Sequence, residues 1–144
     1  TVLLPTVFIL AGLDVGRFML AKVPIFIQIL AWLGLIFSGA IILWTVTTNT
    51  YLSRYARIQD DRRQEVIISG PYHYVRHPMY LGIIILFLGL GPALGSLLAL
   101  IPSFLITILF AIRTAKEDKM LQQELSGYKR YSQEVRYRLV PGIW

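Results

Sequence analysis

Gly70-Pro71-Tyr72-His73-Tyr74-Val75-Arg76-His77-Pro78-Met79-Tyr80-Leu81-Gly82 begins as a polar turn, ends as an apolar helix and holds both histidines of the chain. Gly70-Pro71 marks a turn. A residue that precedes proline is pushed out of helical geometry, so His77 is expected to be extended. Pro78 suits the first helical position, where a backbone N–H has no partner to lose. A helix is therefore predicted to start at Pro78, with His77 at its cap and Arg76 just outside. The N–H groups of Met79, Tyr80 and Leu81 then point back towards Arg76 and His77, a setting that attracts anions such as carboxylate or phosphate. The plainer reading of these residues is a basic anchor that holds a membrane span at the headgroups, since basic flanks of spans are common.

Beyond this turn the chain carries no charge from His77 to Ile112, a run of 36 residues. One helix of that length would measure about 54 Å, too long for a hydrocarbon core of about 30 Å. Gly89, Gly91, Pro92, Gly95 and Ser96 lie near its middle. The run is therefore predicted to fold as a hairpin of two helices with both ends on one side. Pro102 is a candidate kink in the second arm.

The other apolar runs extend this pattern. Val2 to Leu20 reads as a first span, with Asp14 and Arg17 three residues apart near its end and read as interfacial polarity. Val23 to Ser53 is uncharged over 31 residues and reads as a second span, with Trp32 and Trp44 towards its two ends. Arg54 to Glu65 is a charged segment, expected as a surface helix or loop. Val66-Ile67-Ile68 reads as a short β-like run. Arg113 to Leu125 is expected to continue as an amphipathic helix with Ala115, Met120, Leu121 and Leu125 on its apolar side, ended by Gly127. Tyr128 to Val140 is a basic, tyrosine-rich close.

The fold class expected is all-α and integral to the membrane. It has about four transmembrane helices, two of them the hairpin of the C-terminal half, with cytoplasmic amphipathic helices beside them. Residues 1–144 read as one domain, of which 1–66 supply the N-terminal spans and a charged connector.

Composition agrees. Of 144 residues 56% are hydrophobic, and the net charge is +6. Twelve of the fourteen cations fall in two groups, Arg54 to Arg76 and Arg113 to Arg138, each beside an apolar span. That is the positive-inside pattern and places both ends on the cytoplasmic side, with membrane lipids and not nucleic acid as the basic chain's partner. A cleaved signal peptide is not expected. The absence of cysteine excludes disulfides, thiolate metal sites and cysteine nucleophiles. His73 and His77 stand four apart but across a turn, with no third ligand near, so no metal is expected.

The hairpin would bring Arg113 to the face where Arg76 lies. The acids Glu117 and Asp118 follow Arg113 by one helical turn. They could hold a cationic group such as an ammonium, or form a solvated face with Glu117 paired to Arg113. An anion-attracting helix start opposite an acidic pair suits a zwitterion of amino-acid type.

Four ordered blocks carry a resemblance. Arg76-His77-Pro78-Met79-Tyr80-Leu81-Gly82, then Glu117-Asp118, then Gly127-Tyr128-Lys129-Arg130-Tyr131, then Val135-Arg136-Tyr137-Arg138-Leu139-Val140-Pro141 resemble the isoprenylcysteine carboxyl methyltransferase family and the related phospholipid methyltransferases. The resemblance covers about half the chain, from Ile67 onward. It implies a membrane-embedded methyltransferase that uses S-adenosylmethionine, with residues 67–144 building the cofactor pocket at the cytoplasmic face and a lipophilic or lipid-modified acceptor entering from the bilayer. Carried onto this sequence, it implies cofactor contacts from His77, Tyr80, Gly82, Glu117 and Asp118. Arg76 would be the catalytic residue beside them, and Glu117 would hold the cofactor's ammonium. Tyr128, Tyr131, Arg136 and Arg138 would close the pocket or meet the acceptor's polar group. The family often has two glutamates where this chain has Glu117-Asp118.

The implied chemistry is direct methyl displacement from a sulfonium, with no metal and no covalent intermediate. A carboxylate acceptor needs no base, and an arginine could orient it. An amine acceptor needs one, with His77, Glu117 or a tyrosine as candidates. The sequence keeps two rivals. NADPH-dependent membrane sterol reductases share an Arg-His-x-x-Tyr-like block but usually end in Thr-Ser where this chain has Arg136-Tyr137-Arg138. A non-catalytic four-helix membrane scaffold is the other.

Overall fold

A computed structural model describes residues 3–18, 20, 22–49 and 66–144. Among these residues the fold is all helical, without a strand. Helix α1 spans Leu3–Leu13 and runs into one wide helical turn, Asp14–Phe18. Helix α2 spans Ile25–Thr48, α3 Pro78–Ala93, α4 Leu100–Glu124 and α5 Tyr128–Glu134. A tight helical turn, Gly70–His73, precedes α3. The charged segment expected at Arg54 to Glu65 lies outside the described residues. The β-like run at 66–68 is irregular. The β-branched side chains there have no neighbouring strand among the described residues to pair with, and without one a β preference has nothing to express.

Only α2, among the described residues, is both long and apolar enough to cross a membrane. Its 24 residues give about 36 Å of helix. In the expected first span α1 has 11 residues and continues into the wide turn Asp14–Phe18, and α3 has 16 residues. The second arm, α4, is apolar only as far as Ile112 before its charged turns begin.

The described residues group into two compact units. The first draws on Thr1–Gly39 and Gly82–Phe110. Val7, Ala11, Ala99 and Ile106 are its buried centre, with Leu3, Phe87, Leu90 and Phe110 packed round them. Here α3 turns back into α4. The Ser96 N–H donates to Gly91 O (2.9 Å) and the Gly95 N–H to Pro92 O (3.0 Å), with Gly95 at φ +80°. This is a glycine-ended helix stop, and its left-handed residue excludes most side chains. The loop is tied down by Asp14, which is buried. Its carboxylate accepts Ser96 Oγ–H at 2.6 Å and the N–H groups of Leu98 and Leu20 at 3.2 Å. Asp14 is thus no interfacial residue but the tie of the hairpin tip, because a buried acid must collect donors. Pro102 falls in the first turn of α4 and not mid-arm, where its missing N–H costs no helical bond. Between α2 and α3, Ser38 Oγ–H donates to Gly82 O at 2.7 Å.

The second unit draws on Ala40–Leu81 and Ala111–Trp144. Leu125, Tyr128 and Tyr131 form its buried apolar centre, flanked by Val66, Tyr72, Leu121 and Val135. Gly127, at φ +82°, reverses the chain between α4 and α5. Nearly all the candidate site residues fall in this unit.

Candidate functional site

The Gly70–His73 turn starts the site. Its first residue has φ +60°, and an added Cβ would lie 2.7 Å from Thr48 Oγ1, so any other residue is strained there for both reasons. The turn delivers Arg76 and His77 in extended form. Their N–H groups donate to Tyr137 O (3.0 Å) and Arg138 O (2.9 Å). Pro78 then opens α3, and the His77 carbonyl accepts the Leu81 N–H at 3.2 Å. Helix start and cap residue lie where the sequence predicts them.

Asp118 is the centre. It is fully buried, and six bonds of five side chains converge on it. Arg76 binds it with Nε to Oδ1 at 2.7 Å and a terminal nitrogen to Oδ2 at 3.1 Å. Arg138 Nε reaches Oδ2 at 3.0 Å, Gln122 Nε2 at 2.8 Å, and Tyr128 Oη–H donates to Oδ1 at 3.1 Å. His77 Nε2 lies 3.4 Å from Oδ1. Burial works against the charged form of Asp118, yet the hydrogen bonds from His77, Arg76 and Arg138 hold its carboxyl well below the usual carboxylate range.

Arg76 is spent on this frame. Its remaining terminal nitrogen donates to three carbonyls that close α5, those of Ser132, Val135 and Arg136 (3.2, 2.8 and 3.0 Å). A buried guanidinium with every nitrogen engaged orients its neighbours and has no fork left for a reacting group. Arg76, suggested by the sequence as the catalytic residue, thus has all three guanidinium nitrogens engaged in this frame. Asp118, suggested as a cofactor ligand, has both carboxylate oxygens engaged in the same frame.

Glu117, the neighbouring acid, is different. Its side chain is 20% exposed. Its Oε2 accepts Tyr80 Oη–H at 2.6 Å, and Tyr80 Oη in turn accepts Arg113 Nε–H at 2.9 Å. The direct Arg113–Glu117 separation is 4.0 Å, so the expected ion pair passes largely through the tyrosine. Tyr80 is itself buried, with its ring stacked on His77 (centroids 5.9 Å apart, planes at 10°) and the Arg113 guanidinium carbon over that ring, 5.6 Å from its centre. Successive residues of one helix thus take opposite roles. Asp118 turns inward to the frame and Glu117 stays accessible.

The tyrosines expected at the acceptor are buried. Tyr128 and Tyr131 meet edge to face at 5.4 Å, and Tyr131 Oη–H donates to Tyr72 O at 2.7 Å. Burial, the Asp118 charge and the hydrogen bond to it push the Tyr128 hydroxyl well above its ordinary range. Burial likewise raises Tyr131. Arg138 is partly exposed, and its guanidinium lies 5.2 Å from the Trp144 ring centre. Arg136 is exposed, and only its carbonyl joins the frame. Gly82 belongs to the first unit and is not among the residues gathered at Asp118. Sequence reasoning missed Gln122, Tyr72 and Trp144. Gln122, four residues from Asp118 on one helix, was findable by spacing.

The profile of the phospholipid methyltransferase family matches residues 25–126, more than two thirds of the chain. The chain belongs to the phospholipid methyltransferase family. No curated protein matches it. The family match takes in Arg76, His77, Tyr80, Glu117 and Asp118 and stops before Tyr128, so the frame's contributions from Tyr128 to Arg138 lie beyond it. The phospholipid methyltransferases are membrane-associated, which accords with α2, the one long apolar helix among the described residues.

Proposed function

We propose that this chain is an S-adenosylmethionine-dependent methyltransferase of a lipophilic acceptor, working at the cytoplasmic surface of a membrane that it crosses several times. The observation that carries the reading is the accessible Glu117 carboxylate, held by Tyr80 beside a saturated Asp118 frame, in a chain of the phospholipid methyltransferase family. A carboxylate with one oxygen anchored and partial exposure fits an ammonium, and the stacked His77 and Tyr80 rings fit a flat, partly apolar group beside it. Bound there, S-adenosylmethionine would supply a methyl group on a sulfonium.

The chain's own residues do the rest. Glu117 holds the cofactor's ammonium, and Tyr80 fixes the direction of the carboxylate. The Asp118 frame locks Arg76 and His77 in place, so the site is aligned before an acceptor arrives. Buried Tyr128 and Tyr131 keep water out of the inner wall, which favours a step in which charge is cancelled. Arg138 and Arg136, the partly and fully exposed cations, are the groups that can meet an anionic part of the acceptor. For an amine acceptor the proton would go to His77 or Glu117. Tyr128 and Tyr131 are poor bases because their hydroxyls are held protonated.

Calorimetry with the detergent-purified protein tests the reading. The parent is expected to bind S-adenosylmethionine, and Glu117→Ala to bind about tenfold to a hundredfold more weakly, the worth of one charge-assisted contact. A folded parent that takes NADPH instead, or neither ligand, would overturn it. Transfer of a labelled methyl group to an amine-headed phospholipid or to a prenylated cysteine analogue then identifies the acceptor.

A further inference from the structure

Residues 138–144 form a closed clasp that no assigned role accounts for. The Trp144 main-chain oxygen accepts three consecutive N–H groups, those of Arg138 and Leu139 at 2.9 Å and Val140 at 3.1 Å. The Ile143 and Trp144 N–H groups return to Val140 O at 3.1 Å, and Gly142, at φ +83°, makes the reversal. The clasp lays the Trp144 ring 5.2 Å from the Arg138 guanidinium carbon. Arg138 then touches His77 by two routes. Its carbonyl accepts the His77 N–H at 2.9 Å. Its Nε–H donates to Oδ2 of Asp118, whose other oxygen faces His77 Nε2.

We propose that Trp144 is a positioning residue, which holds Arg138 against Asp118 and so keeps His77 oriented for the cofactor. The physical basis is the choice open to Arg138. Its side chain is one-third exposed, and an arginine at such a place trades a carboxylate contact against hydration and rotamer freedom. An aromatic face over the guanidinium restricts that freedom and removes water from one side of the cation. The three N–H groups gathered on one oxygen fix the backbone from which Arg138 projects. Arg76 needs no such help, being buried and bound on every nitrogen. The proposal rests on the cofactor reading above for its consequence, but not for the clasp itself.

The test uses the full chain in detergent with Trp144→Leu, which keeps apolar bulk without a π face, and Trp144→Phe, which keeps a smaller face. Two readouts are taken. One is solvent exchange of the Arg138 Nε–H, followed by nitrogen–proton correlation spectroscopy and assigned by its loss in Arg138→Lys. The other is the affinity for S-adenosylmethionine. Trp144→Leu is expected to speed the Arg138 exchange and to weaken the cofactor about threefold to tenfold, and Trp144→Phe to restore much of both. Unchanged Arg138 exchange in a folded Trp144→Leu protein overturns the proposal. So does faster exchange with unchanged affinity, because His77 would then be oriented without the clasp. Should the leucine variant fail to fold, the phenylalanine variant carries the same comparison in graded form. A parent that binds no S-adenosylmethionine would refute the proposed function, whereas the exchange readout would still judge the hold of Trp144 on Arg138.

Discussion

Replacing each of the two adjacent acids by its amide separates anchor from ligand. In Asp118→Asn one acceptor oxygen becomes an NH₂ group that faces Arg76, Arg138 or Gln122, all of them donors at 2.8 to 3.1 Å in the parent. Arg76 loses its one charged partner among the described residues while it stays buried. Removing one partner of a buried ion pair costs about 3–5 kcal/mol. Two features pull the figure down. Arg76 keeps its three carbonyls, and Arg138 can turn to water. The expected loss is therefore about 3 kcal/mol, which corresponds to a fall in Tm of roughly 10 °C for a chain of this size. Glu117→Gln keeps an oxygen for Tyr80 Oη–H at a partly exposed position, so it should cost about 1 kcal/mol or less. Thermal unfolding in one detergent measures both, and calorimetry measures the cofactor. The expected result is an opposite ranking, with Asp118→Asn the worse in stability and Glu117→Gln stable but weak in binding. An Asp118→Asn protein that melts within about 1 kcal/mol of the parent would refute the view of Asp118 as the anchor.

Three further outcomes are expected. Asp118 is depressed in the folded state, so its contribution is complete above the unfolded carboxylate value of about 3.9 and is lost as pH falls below that towards the folded one. Its share of the unfolding free energy should therefore be flat from neutral pH to about 4 and decline only beneath it, and Asp118→Asn should flatten that acid limb in a pH series of melts. Gly70→Ala should destabilise by at least about 1 kcal/mol, through its left-handed backbone and a contact with Thr48. Adding Thr48→Ala should recover only the contact part in denaturant melts, and full recovery would show that the backbone is not strained. Asp14→Ala strands the Ser96 hydroxyl and two N–H groups and should cost about 1–3 kcal/mol in thermal unfolding, with Asp14→Asn intermediate; parity of the alanine variant with the parent would remove Asp14 as the tie of the hairpin tip.

Helix starts and stops were legible because they follow from local chemistry. Pro78 opens α3, Gly95 lies in the turn between the hairpin arms, and Gly127 separates α4 from α5, each as its own φ preference requires. The resemblance read from Arg76, Glu117-Asp118, Tyr128 and Arg138 agrees with the family match over residues 25–126, although the last two lie outside it. What failed were readings that depend on distant partners. Asp14 looked like an interfacial acid because its donors come from Ser96 and Leu98, more than eighty residues on. Val66-Ile67-Ile68 looked like a strand because pattern does not reveal whether a second strand exists.

The sequence by itself therefore determined the all-helical class, the start of α3, the turn between the hairpin arms, the stop after α4 and the family, all of which rest on neighbours within a few residues or on the order of motifs. Only the tertiary structure decided which acid is buried and which stays partly exposed. Glu117 and Asp118 are adjacent, alike in charge and on one helix, and no local rule distinguishes them. About 100° of helical rotation turns one towards Arg76, Tyr128 and Arg138, and leaves the other to Tyr80 and solvent.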